Sequence, residues 1–356
     1  MFTIEYLTNV ENILFYLPIK FEKIVNILKS KDWIIHNFNL DHDNIYIPDG
    51  FLYNTNIENI QYTLYLDTNI YQFLLNSYKK IPNENNRCAI SLLVFCQVCS
   101  IQIEPMYAVY EKIDYRKERA LDVIHDLNLF HKINNSPTDS LIDYALSERD
   151  TYDLGFHDDI DSPTLEKELT KYSRLTEWDS IYLLILVCVS ISLESTSRKE
   201  KLHKFVHWMV KYFRKSFVIF IYATIYFSER RLKKMMKYKN TDSCEKQKKQ
   251  LFNMTWDLYI ANQFFHLWVS ENKNSEFMYA SDDKSFSFIM RMAIKSQINE
   301  NIDPLKNMLS KKDYQIVIDA WDHDIPDEER IYQSEIWTPD YRSSQIKIFE
   351  DKLLKT

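Results

Sequence analysis

The sequence predicts an α/β fold of three α/β/α layers, in which a central, mainly parallel sheet is covered by helices on both sides and a large α-helical insertion interrupts the core. Two extended runs point to the sheet. "YTLYLD" (residues 62–67) and "EFMYASDD" (residues 276–283) are rich in Tyr, Thr, Leu and Phe, and each ends in carboxylates. Strands that are apolar on both faces belong in a sheet that helices cover. Glycine is nearly absent: Gly50 and Gly155 are the only two in 356 residues. That scarcity favours helices over tight hairpins. Two apolar runs, residues 181–193 and 217–227, read as buried helices, because each is shorter than the about 20 residues that cross a bilayer.

The elements follow in order. Residues 1–60 form an N-terminal addition. In it, "VENILFYLPIKFEKIVNILKSK" has helical spacing broken at Pro18, and Pro48, Asp49 and Gly50 signal a turn. The first strand, "YTLYLD", leads into the helix "IYQFLLNSYKK", which stops before Pro82. "NNRCAISLLVFCQVCSI" is a buried helix, and "PMYAVYEKIDYRK" is another that opens with Pro105. The α/β core covers residues 61–125 and 250–300, and the helical insertion covers residues 126–249. Within the insertion, "SERDTYDLGFHDDIDSPT" reads as a solvated acidic loop. "LFNMTWDLYIANQFFHLWVSEN" is an amphipathic helix, the second strand follows it, and "KSFSFIMRMAIKSQI" is helical. His266 lies on the first of these helices as a core or boundary residue. Residues 301–356 form a C-terminal extension.

Composition excludes several functions. Phosphate cradles built on glycine loops need several glycines together, so a Walker loop and a dinucleotide fingerprint are both ruled out. The five cysteines are odd in number and mostly in apolar company, which predicts free thiols in a reducing cytoplasm. The Cys96–Cys99 pair sits within an apolar run and reads as two core-facing helical residues. The opening "MFTIEYLTNVENI" has no basic region of the kind a secretory leader carries. The net charge of −7 conceals an uneven distribution: residues 198–250 hold sixteen Lys or Arg against four acids. The densest part includes Arg230, Arg231, Lys233, Lys234, Lys237 and Lys239. It reads either as a solvated face or as a surface for nucleic-acid phosphates.

In a parallel α/β sheet, ligands bind beyond the carboxyl ends of the strands. Asp67, Asp282 and Asp283 fall there. Oxygen ligands of this kind suit Mg²⁺ or Mn²⁺, which activate water and stabilise charge that develops on phosphate oxygens. Each acid also has a plain structural role open to it. Asp67 and Asp283 sit where helix caps occur, and Asp257 reads as a first-turn acid favoured by the helix dipole.

The order of short motifs resembles a PIN-domain nuclease. "LYLDTN" is similar to the family's strand ending in Asp-Thr/Ser-Asn/Ser, and "EPMYAVYEK" to its helix presenting a glutamate. "TWDLYIAN" is similar to its aspartate at a helix start, and "YASDDKSF" to its strand followed by Thr/Ser-x-Asp. The resemblance implies that Asp67, Glu111, Asp257 and Asp283 bind one or two Mg²⁺ or Mn²⁺ ions, with Asp282 adjacent. It implies that Thr68, Asn69 and Ser281 support them. Glu104 is a second candidate for the glutamate and Asp179, in "TEWDSIYLL", for the aspartate. The implied activity is an endonuclease hydrolysing phosphodiester bonds, in RNA rather than DNA, in a stress, toxin or anti-phage setting. A protein partner or inhibitor and an oligomer are both compatible with it. The alternative is a non-catalytic PIN-like scaffold, or a nucleic-acid binder that acts through the helical insertion. The insertion between the second and third motifs departs from compact members of the family.

Overall fold

A computed structural model describes residues 4–10, 13–38, 45–171, 177–213, 216–228, 232, 235, 237–269, 274–322 and 331–354. The chain is mostly helical, with a small mixed sheet, and so belongs to the α/β class. It forms two compact units. The first comprises residues 1–173 and 264–283, and the second residues 174–263 and 284–356. The boundary expected at residue 125 therefore falls within the first unit, as does the expected N-terminal addition.

In the first unit, β1 (Ile4–Val10) pairs antiparallel with β2 (Ile13–Pro18). Residues 13–18 are thus a strand and not the start of a helix; the apolar run that had helical spacing also alternates, and the hairpin partner decides its conformation. Helix α1 (Phe21–Lys31) buries Phe21, Ile24, Val25 and Leu28. The main sheet has four strands in the order β3 (Ile34–His36), β6 (Ser275–Ala280), β4 (Gln61–Leu66), β5 (Gln102–Glu104). β4 runs parallel to both β5 and β6, while β3 is antiparallel to β6. Tyr62, Leu64 and Leu66 of β4 are buried, and Thr63 and Tyr65 between them are half-buried. The second face is not bare: the Tyr65 ring lies 5.0 Å from Tyr107 and 6.1 Å from Phe277.

Helices complete this unit. α2 (Pro48–Asn56) begins at a proline, and α3 (Thr68–Lys79) follows β4 directly. α4 (Glu84–Val98) is capped by the Asn83 side chain, which accepts from the Asn86 N–H. It is buried along most of its length and carries Cys88 and Cys96; Cys99 is buried at its end, and all three are free thiols. α5 (Met106–Tyr110) passes into a π-helical turn, Glu111–Tyr115. α6 (Ala120–Asn134), α7 (Thr138–Ala145) and α8 (Ser162–Lys171) follow.

The acidic loop between α7 and α8 is held down as a strap. Tyr152 is buried and its hydroxyl bonds to Ser77 at 2.6 Å. Arg87 donates to the Arg149 carbonyl and pairs with Asp150. The Gly155 N–H donates to the Lys132 carbonyl, and a Cβ at Gly155 would stand 1.9 Å from the Asn135 carbonyl oxygen, so the strap crosses α6 where only glycine fits. The Ile160 N–H donates to Asn128, Lys132 pairs with Asp159, and the His157 ring stacks on His131 at 4.5 Å.

The second unit contains α9 (Trp178–Ser192), α10 (Arg198–Tyr212), α11 (Phe217–Phe227), most of α12 (Cys244–Val269), α13 (Lys284–Ile298), α14 (Lys311–Asp322) and α15 (Pro339–Leu353). The two apolar runs of the sequence are α9 and α11, both buried nearly throughout. Ser197 and Glu200 cap α10 reciprocally. Tyr182 on α9 donates to Glu350 on α15. Among the described residues no helix is long and apolar enough to cross a membrane.

The strap contains its own acid-sensitive contact. Burial, reinforced by the neighbouring His157, lowers the His131 pKa below its ordinary 6.5. Folding therefore favours neutral His131. Its contribution is complete above the ordinary imidazole value and is lost as pH falls through the lowered one. Hydrogen-exchange protection factors at the Gly155 and Ile160 amides should fall between about pH 7 and pH 5, and His131→Phe should flatten that dependence. Equal protection across the range in the unaltered protein contradicts it.

Candidate functional site

The carboxyl edge of the parallel strands brings Asp67 and Ser281 together beside the Asp283 backbone, and strand register explains how. Leu66 pairs with Ala280, so the next residues, Asp67 and Ser281, are neighbours. The Asp67 N–H continues the ladder by donating to the Ala280 carbonyl at 2.9 Å. The Ser281 hydroxyl donates to Asp67 Oδ2 at 2.9 Å and accepts from the Asp283 N–H at 3.1 Å. Asp67 occupies the N-cap position of α3, yet its side chain makes no capping hydrogen bond. A cap residue that leaves the helix N–H groups alone forgoes the usual stabilisation of about 1 kcal/mol. Its carboxylate is turned to Ser281 instead.

Thr68 joins this edge to the glutamate. Its side chain is 2% exposed and its hydroxyl donates to Glu111 Oε2. Glu111 is 5% exposed and begins the π-helical turn. Its other oxygen accepts from Arg116, from Nη2 at 3.0 Å and from Nε at 3.2 Å. A regular helix would not aim residues five apart at each other; the wider π-turn does, closing with the Arg116 N–H on the Glu111 carbonyl at 2.9 Å. Such turns recur at functional sites. Lys112, on the same turn, points elsewhere. It is buried, pairs with Asp126 at 2.6 Å and Glu118 at 3.3 Å, and lies over the Tyr71 ring. Burial raises the Asp126 carboxyl, but hydrogen bonds from Lys112 and Lys79 outweigh it and hold Asp126 below its usual range.

The remaining candidates make other contacts. Asp282 accepts from the Trp33 indole N–H at 2.9 Å, so a tryptophan before β3 holds one of the two adjacent aspartates. Asn69 is exposed. Glu104 accepts from the Met106 N–H at 2.9 Å, a local bond at the start of α5, and burial pushes its carboxyl up. Asp257 lies in the second unit, thirteen residues into α12 and not in its first turn, because that helix already begins at Cys244. There it pairs with Lys237. Asp179 occupies the first turn of α9, also in the second unit. Lys239 is exposed and its N–H donates to Gln250; Arg230, Arg231, Lys233 and Lys234 lie outside the described residues. His266 is exposed.

The donors at the strand edge are carboxylate and hydroxyl oxygens, the chemistry that Mg²⁺ and Mn²⁺ take. Among the described residues no three or more His, Cys, Asp or Glu side chains stand together closely enough to hold a metal ion. The edge therefore offers no closed cage.

Two residues were missed by sequence reasoning. Arg116 sits at a spacing with meaning only in a π-turn, which "EKIDYRK" does not announce. Trp33 comes from a segment treated as an addition. Thr68→Val tests the link between Asp67's neighbour and Glu111. It removes the hydroxyl, keeps the shape, and leaves a buried carboxylate oxygen unpaired. Urea denaturation should show a loss of about 1–3 kcal/mol, whereas unchanged stability contradicts the contact. No family model, no curated protein and no solved structure matches the chain.

Proposed function

We propose that the first unit is a PIN-like core, a three-layer α/β/α arrangement, and that the protein is a metal-dependent endoribonuclease. The observation that carries this reading is the hydrogen bond from Ser281 to Asp67. It places an uncapping aspartate beyond two parallel strand ends, beside the Asp283 backbone. Asp67 and Asp283 would hold the ion, while Glu111, engaged by Thr68 and Arg116, stands outside that set. Bound there, Mg²⁺ or Mn²⁺ would activate water and offset the charge that develops on phosphate oxygens. The protein's own part is positional. Ser281 fixes the Asp67 rotamer by donating to one oxygen. Thr68 fixes Glu111 in the same way. The negative edge would repel a phosphodiester unless cations balance it, and the basic segment from Arg230 to Lys249 is proposed to hold the RNA strand.

A second reading draws on two ion pairs. Glu111 is paired with Arg116 and Asp257 with Lys237, as in a PIN-like scaffold that binds without hydrolysis. One experiment separates the two. Purified protein with labelled single-stranded RNA and Mn²⁺ should cleave it, and Asp67→Asn should lower the rate about 100-fold or more, as expected for loss of water activation. Asp283→Asn should lower it as well. Asp257→Asn, in the second unit, reports whether that acid takes part at all. No cleavage by the unaltered protein, or equal cleavage by Asp67→Asn, contradicts the nuclease reading and favours the scaffold.

A further inference from the structure

Helix α10 of the second unit has two unlike sides. Leu202, Phe205, Val206, Met209 and Val210 are buried on one. The other carries two rows of side chains at four-residue spacing, which in an α-helix stand one above the next. Lys199, His203, His207 and Lys211 make the first row, and all four are exposed. At 1.5 Å per residue that row runs for about 18 Å. Lys204, Trp208 and Tyr212 make the row beside it; Lys204 is exposed and the two aromatic residues are half-buried.

The charge on this helix has one sign. Arg198 and four lysines stand against a single acid, Glu200, whose carboxylate accepts from Ser197 at the helix cap. Lys204 pairs with Glu194, and Lys201 donates to the Ser192 carbonyl. Among the described residues neither Lys199 nor Lys211 has a carboxylate partner. The Lys211 ammonium lies over the Tyr212 ring instead, 5.3 Å from its centre.

The rings form a continuous surface with the core behind them. The Trp208 ring lies 5.9 Å from Tyr212 and 6.5 Å from Phe213, within 24° and 17° of parallel. Phe213 is 1% exposed and anchors the group. It also meets Trp337 at 6.2 Å, and Trp337 meets Tyr341 at 5.8 Å. Both of these are half-buried, and the Arg342 guanidinium lies over Trp337. The His203 and His207 rings are parallel to within 3°.

We propose that this face of α10 is a track for single-stranded RNA. Its lysines hold successive phosphates, and Trp208, Tyr212 and the two imidazoles give unpaired bases planes to stack on. An acidic peptide would use the charge and leave the rings idle. A bilayer needs an exposed apolar stripe, and α10 turns its aliphatic residues inward. The track is separate from the basic segment after Phe227 and needs no ion at the strand edge. Only the choice of RNA over DNA rests on the nuclease reading.

The test is fluorescence anisotropy of a labelled oligouridine with the full chain in EDTA, where metal-dependent cleavage plays no part. The unaltered protein should bind it, and should bind a duplex RNA of equal length more weakly, because paired bases stay stacked on each other. Trp208→Leu should weaken binding at least about 5-fold, the loss of one stacked base. Lys199→Gln and Lys211→Gln, at exposed positions, should each lower the slope of log affinity against log salt by about 0.7. Thermal melts confirm that each variant is folded. Binding that Trp208→Leu and both lysine variants leave unchanged places the RNA on another surface and overturns the inference. So does no binding by the unaltered protein, equal displacement by polyphosphate, or tighter binding of the matching oligodeoxynucleotide. The nuclease reading stands or falls separately, on cleavage by Asp67→Asn with Mn²⁺ present.

Discussion

The pairing of β4 with β6 is the constraint on which the candidate site depends. Because the strands run parallel and in register to their last residues, the chain leaves the sheet at Asp67 and Ser281 side by side. A slip of one residue would turn each side chain to the opposite face. Leu64 and Leu66, with Met278 and Ala280 opposite, are buried at 0% exposure and set that register by packing. The short polar contact at the edge is thus positioned by the apolar contacts behind it, and its precision comes from a core that tolerates no shift.

Charge at this edge is handled by distribution. Asp67 gives one oxygen to a hydroxyl, Glu111 is shared between a hydroxyl and a guanidinium, and Asp282 is held by an indole. A buried carboxylate stripped of such partners would take up a proton or unfold its surroundings. The same holds on the turn that Glu111 begins, where the buried Lys112 is accompanied by Asp126 and Glu118. The two cations at this turn are thereby separated in role: Lys112 fastens the turn to Asp126 and Glu118, and Arg116 pairs with Glu111.

Several parts of this arrangement were legible in the sequence, and the reasons others were not are physical. "LYLD" and "MYASDD" read as strands because residues that suit strands make both faces apolar and each run ends in acids, and both lie in the parallel part of the sheet. The apolar runs at 181–193 and 217–227 read as buried helices because every face is apolar, and they are α9 and α11. Residues 13–18 were misread because Pro18 and an apolar run fit a broken helix as well as an edge strand. Asp257 was misplaced because the start of α12 is polar and charged, "CEKQKKQ", and gives no sign that the helix has already begun. Ser281 was singled out only through the resemblance of "YASDDKSF" to a strand followed by Thr/Ser-x-Asp. Arg116 was not, since a π-turn has no signature in residue types and alters which neighbours face each other.

The coupling between Asp67 and Ser281 is the most direct measure of whether the two strand ends build one site. A double-mutant cycle with Asp67→Ala, Ser281→Ala and the pair, followed by urea denaturation, isolates that contact from the packing behind it. A shared hydrogen bond predicts an interaction energy of at least about 0.5 kcal/mol. Additive effects of the two substitutions would show that the aspartate and the serine act separately, and the strand edge would then be no site at all.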